Sequence, residues 1–97
     1  MSNKIIKFSA SWCGPCKMMK PTFDKVSSME EFKNIEFISY DIEEDEQGVE
    51  LVEKYNIRNV PTIVIADEDD EPIKKIIGLV SEKELINLIK DNTNYES

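Results

Sequence analysis

An α/β fold of order β-α-β-α-β-β-α, a four-stranded mixed sheet with helices on both faces, is predicted by three observations. The apolar run Lys4 to Phe8 gives way to Met18, Met19, Phe23, Val26 and Met29, which recur at helical intervals. Pro61-Thr62-Ile63-Val64-Ile65-Ala66 is apolar almost throughout, as expected of a strand covered on both faces. Ser81 and Glu84 form a capping box ahead of the stripe Leu85, Leu88, Ile89.

The first strand, Lys4–Phe8, ends in turn-prone Ser9 to Ser11. The first helix is expected from Cys13 or Gly14 to about Met29, kinked at Pro21, which lacks a backbone donor. Phe32 is expected to pack at its end. Ile35 to Asp41 forms the second strand, with Ile35, Phe37 and Ser39 on one face. The acidic stretch Asp41 to Glu50 reads as a solvated loop and helix start, since carboxylates are favoured at a helix N-terminus. Val49, Val52 and Tyr55 give the second helix its buried face, and Asn56 marks its end. An acidic turn, Asp67 to Glu71, leads to the strand Pro72–Ile77, whose Lys74 and Lys75 suit exposure; Gly78 breaks it. Val80 and Leu85 are placed for a hydrophobic staple on the last helix, and residues 92–97 are expected to fray.

A chain of 97 residues predicts one domain, residues 1–97, with one modest core. Twenty acidic against 12 basic side chains give a formal charge of −8, which argues against non-specific nucleic-acid binding. No window approaches the roughly 20 apolar residues of a membrane span, and Met1 to Lys4 lacks a signal peptide's apolar region. The expectation is a cytoplasmic protein with no membrane partner.

Both cysteines lie in Ser11-Trp12-Cys13-Gly14-Pro15-Cys16-Lys17, two residues apart at a strand-to-helix junction. That placement is a redox signature, because unpaired N–H groups and the helix dipole stabilise a thiolate at Cys13. Cys16, one turn on, can attack a mixed disulfide formed at Cys13. A purely structural disulfide closing so small a loop would constrain the unfolded chain little. A zinc site needs about four ligands, against one cysteine pair and no histidine.

Trp-Cys-Gly-Pro-Cys-Lys resembles the active site of the thioredoxin family. Val60-Pro61-Thr62 is similar to that family's cis-proline loop, and Gly78 to its glycine near the same surface. The match in order and spacing runs from about Ile5 to about Ile89. The resemblance implies the minimal form of the fold, with strand order 2-1-3-4 and the last strand antiparallel. It also implies protein disulfide reduction with Cys13 as nucleophile and the more exposed thiol, Cys16 as resolving thiol, and Gly14 and Pro15 tuning the couple. Trp12, Val60, Pro61 and Gly78 would meet the substrate. No cofactor is bound; electrons would come from an NADPH-dependent thioredoxin reductase or similar donor. Substrates would be protein disulfides such as those of ribonucleotide reductase or peroxide-reducing enzymes.

The chain departs from the family in three places. Lys7 stands where the family has a buried aspartate, and Ser39 where it has a lysine. Lys7 either snorkels or pairs with an acid such as Asp41, or its charge favours the Cys16 thiolate and so tunes the couple. The family's additional first strand and helix are also missing, which leaves the Ile35–Asp41 strand at an edge open to weak self-association of an otherwise monomeric protein. Two alternatives follow: a more oxidising isomerase or oxidase, and a non-catalytic module that binds through the Trp12–Pro61–Gly78 surface.

Overall fold

The computed structural model describes residues 2–96. Its elements are β1 (Lys4–Ser9), α1 (Gly14–Ser27), β2 (Glu36–Asp41), α2 (Glu46–Lys54), β3 (Thr62–Ala66), β4 (Pro72–Ile77) and α3 (Glu82–Asn92). The strands form one sheet in the order β2-β1-β3-β4. β1 and β2 are parallel, as a strand–helix–strand unit requires, and β4 is antiparallel to β3 as expected. β3 also runs antiparallel to β1, so the reversal enters the sheet one strand earlier than the last.

Alternation of side chains across the strands divides the core in two. Ile5, Ile63, Ile65 and Ile76 face α1 and α3, where Met19, Phe23, Val26, Leu85 and Ile89 meet them. Ile6, Phe8, Val64 and Ala66 face the other way, against Leu51 and Val52 of α2 and Tyr55 just after it. β3 is buried at every residue, and its neighbours explain the unbroken apolar run: β1 on one edge, β4 on the other, helices above and below.

Several local expectations are corrected. α1 ends at Ser27, and Met29 instead caps a short 3-10 turn, Glu30–Phe32, that buries Phe32 completely. Met18 is 67% exposed; it lies one residue off the stripe made by Met19, Phe23 and Val26. Pro21 lies inside the helix, as expected. Val49 is exposed, and the close contact of α2 with the sheet is made by Gly48, where a Cβ would stand 2.9 Å from Tyr40 Cβ. The capping box of α3 is half formed. The Glu84 N–H donates to Ser81 Oγ at 3.1 Å, while the Ser81 hydroxyl, not its backbone, donates to the Glu84 carboxylate. Val80 and Leu85 both join the core, as a staple would have them.

Residues 93–95 make contacts with the rest of the chain. The Tyr95 ring packs edge-on to Phe32 at 5.7 Å, the Asn94 N–H donates to Asn3 Oδ1, and Thr93 Oγ1 donates to the Ile89 carbonyl. Met1 and Ser97, the two ends of the predicted domain, lie outside the described residues. No helix among the described residues is long and apolar enough to cross a membrane.

Candidate active site

The site forms where β1 delivers the chain to α1. Ala10 accepts a bond from the Cys13 N–H at 3.1 Å, turning the backbone so that Cys13 becomes the N-cap of α1. An N-cap side chain ordinarily supplies an oxygen acceptor to the free N–H groups of the first turn. Here the acceptor is sulfur: the Cys16 N–H donates to Cys13 Sγ at 3.1 Å. Pro15 occupies the first turn, where its missing donor costs nothing. Gly14 and Pro15 are exposed. Cys13 and Cys16 form a disulfide with a Cα–Cα separation of 5.3 Å.

Cys13 is not the more exposed of the two. Both residues are 4% exposed, packed with Ala10 against Ile42 and Val60. The cover over Cys13 comes from the loop before β3. Cys13 Sγ lies 3.7 Å from the Val60 carbonyl oxygen, and the Val60–Pro61 peptide is cis. That loop is pinned twice: buried Thr62 donates its hydroxyl to the Asn59 carbonyl at 2.6 Å, and the Gly78 N–H donates to the Pro61 carbonyl at 2.9 Å. Gly78 therefore reaches the site through Pro61. Its φ of +88° is a conformation that side chains with a Cβ adopt at a cost.

Trp12 is 66% exposed and stands beside a cavity of about 340 Å³ lined by Ile42, Ile57, Arg58, Asn59 and Val60. Its indole N–H donates to Glu43 Oε1 at 2.6 Å, so the first residues of the acidic stretch hold the ring in place. Sequence reasoning missed Glu43, Ile42 and Arg58. Each lies some 30 or more residues from Trp12, and no local pattern marks them.

Lys7 lies on the opposite flank of Cys16. It is 4% exposed, and it lines a second cavity of about 390 Å³ with Cys16, Ser39, Lys17, Lys20 and Asp24 among its walls. It does not pair with Asp41. Its Nζ sits over the Phe23 ring, 5.1 Å from the centroid, and burial lowers its pKa while the Asp24 charge opposes that change. The geometry thus gathers Cys13, Cys16, Val60, Pro61 and Gly78 on one side, with Trp12 at the rim and Lys7 behind. Among the described residues no group of acidic or cysteine side chains could hold a metal ion.

Comparison with known proteins agrees with this geometry. The family model described as Thioredoxin matches residues 1–91. The thioredoxin of Mycoplasmoides gallisepticum is 34% identical over 86 residues, spanning 89% of this chain and 80% of that protein. The thioredoxin of Borreliella burgdorferi is 36% identical over 87 residues, 90% of this chain and 70% of its own length. A thioredoxin mutant from Halobacterium salinarum superposes with a TM-score of 0.79 at 29% identity, over 96% of this chain and 76% of that one. A chain solved in work on the thiol-resolving mechanism of yeast mitochondrial 1-Cys peroxiredoxin via the glutathione and thioredoxin systems gives 0.75 at 31%, over 93% and 78%. With its redox-active cysteine pair at the start of α1, this chain belongs to the thioredoxin family and is a thiol–disulfide oxidoreductase that reduces protein disulfides.

Proposed function

We propose that Cys13 is the nucleophile and Cys16 the resolving thiol. One observation carries the assignment: the Cys16 N–H is directed at Cys13 Sγ at the N-terminus of α1. A thiolate at Cys13 would keep that bond and gain the favourable end of the helix dipole, whereas Cys16, inside the helix, has no comparable donor. The Cys13 thiolate attacks one sulfur of a substrate disulfide, forms a mixed disulfide and expels the other sulfur as a thiolate that takes up a proton. Cys16 then loses its proton and attacks the Cys13 sulfur. The substrate leaves as a dithiol, two electrons have passed, and the Cys13–Cys16 disulfide remains.

Trp12, Val60, Pro61 and Gly78 form the substrate surface in this reading. An extended segment can lie along the Val60 backbone, and the Trp12 cavity can take a neighbouring apolar side chain. Gly14 and Pro15 tune the couple through the first turn. Lys7 tunes it from behind Cys16, where an ammonium favours the thiolate. The dithiol is restored by an NADPH-dependent thioredoxin reductase or similar donor in the cytoplasm, and oxidised peroxide-reducing enzymes are among the targets. The association of the yeast structural neighbour with a peroxiredoxin supports that choice of target.

The chain works as one domain and as a monomer. β2 is a sheet edge, yet antiparallel self-pairing would set Glu36 against Asp41 at both ends.

Equilibration of the protein with a defined thiol–disulfide buffer tests the reading. A potential near ~−270 mV, with turnover of a disulfide-containing protein, supports a reductant; one between about −180 and −120 mV assigns isomerase or oxidase work instead.

A further inference from the structure

The cavity behind Cys16 has an unusual charge for this molecule. The chain carries −8 overall, yet three lysines, Lys7, Lys17 and Lys20, line this cavity against a single carboxylate, Asp24. Asp24 is committed to Lys20 at 2.7 Å. Among the described residues neither Lys7 nor Lys17 is ion-paired. Lys7 is the decisive member: it is 4% exposed, its Nζ lies over the Phe23 ring, and the one carboxylate charge that acts on it, Asp24, is ion-paired to Lys20.

A buried ammonium with no ion-pair contact of its own costs free energy that a bound anion would offset. The cavity provides more than charge. Ser11 and Ser39 also line it, as does Ser9, whose hydroxyl donates to the Tyr40 carbonyl; hydroxyls and ammonium groups together are the donors that tetrahedral oxyanions accept from. Its volume of about 390 Å³ leaves room for such an anion with some of its water.

We propose that this cavity is a phosphate site, held by Lys7 and Lys17 with the Ser11 and Ser39 hydroxyls, and that its occupancy slows the resolving step at Cys16. The second half follows from position. Cys16 is itself a wall of the cavity, so a bound anion places negative charge beside the sulfur that must become a thiolate to resolve the mixed disulfide. Phosphate would then set how long the protein stays joined to its substrate. This coupling rests on Cys16 being the resolving thiol; the site itself does not.

Three measurements test the two parts. Calorimetry with inorganic phosphate, at ionic strength held constant with chloride, is done on the Cys13→Ser/Cys16→Ser variant, which has no redox chemistry. Saturable binding is expected, weakened at least about tenfold by Lys7→Met and unchanged by Lys83→Met, since an ion pair's loss is worth that much at a buried site. Shift mapping on the otherwise unaltered chain guards against misfolding of the Lys7 variant: phosphate must move the signals of Lys7, Ser9 to Ser11 and Cys16 to Lys20. A response that follows ionic strength alone, or shifts elsewhere, overturns the site. Release of substrate from a preformed mixed disulfide at Cys13 is then timed with and without phosphate. Slowing on the order of three- to tenfold is expected, and an unchanged rate at saturation overturns the coupling. Failure to release substrate even without phosphate would count against the assignment of Cys16, and would leave the calorimetric result standing.

Discussion

The backbone N–H of Cys16 points at the sulfur of Cys13 across 3.1 Å, so the peptide group of one active-site cysteine solvates the side chain of the other. The bond survives replacement of the Cys16 side chain, because its donor is main chain.

A consequence is a depressed Cys13 pKa that does not need the second thiol. In Cys16→Ser, alkylation of Cys13 by iodoacetamide should follow a titration displaced below that of a free cysteine. A midpoint near the free value would remove the role given to the helix N-terminus.

Lys7→Met should raise the pKa of Cys16 and yet stabilise the fold. Burial lowers the Lys7 pKa from 10.5, so the folded state binds that proton less readily than the unfolded state does. The cost is fully present below the lowered folded pKa and disappears as pH rises from there to 10.5. Lys7→Met should therefore melt higher than the natural chain at neutral pH, with the difference closing in strongly alkaline buffer. A variant that melts lower at neutral pH, or leaves the Cys16 titration unmoved, contradicts this account.

Tyr55 gives the opposite pH signature. Its hydroxyl donates to the Asp70 carbonyl at 2.7 Å, and burial, then the charges of Asp70, Glu71 and Asp67, push its pKa up to about 12. A phenol whose folded pKa lies above its unfolded value of 10.0 contributes stability that is lost as pH rises from 10.0 toward about 12. Tyr55→Phe should cost about 1 kcal/mol near neutrality and should flatten that alkaline loss. Denaturant melts across the range check both.

Gly48→Ala tests the seat of α2 on the sheet. The added Cβ would stand 2.9 Å from Tyr40 Cβ and 3.1 Å from the Asp41 carbonyl oxygen, too close for either to stay in place. Chemical denaturation should show a loss of about 1–3 kcal/mol, despite the better helix propensity of alanine. Unchanged or increased stability would mean that the helix can shift at no cost.

The sequence carried the element order and the cysteine site because those signals are local. Period and capping residues mark the helices, and two cysteines separated by two residues at a strand end define their own geometry. What it hid is long-range. That Val60 would pack over Cys13 depends on a loop 47 residues away. Nothing local marks Gly48, whose neighbour Tyr40 lies on β2. The contact of Tyr95 with Phe32 is likewise long-range, formed once the 3-10 turn has placed that ring. The partner expected for Lys7 failed on side-chain direction. Lys7 and its register partner Ser39 border the cavity beside α1, so the nearby acid is Asp24 rather than Asp41.

The division of labour between the two thiols is tested most directly by trapping. Cys16→Ser, mixed with a disulfide-containing protein, should accumulate a one-to-one mixed disulfide whose substrate sulfur maps to Cys13 by mass spectrometry. Cys13→Ser should form none. Equal trapping by both variants, or a complex mapped to Cys16, would contradict the assignment.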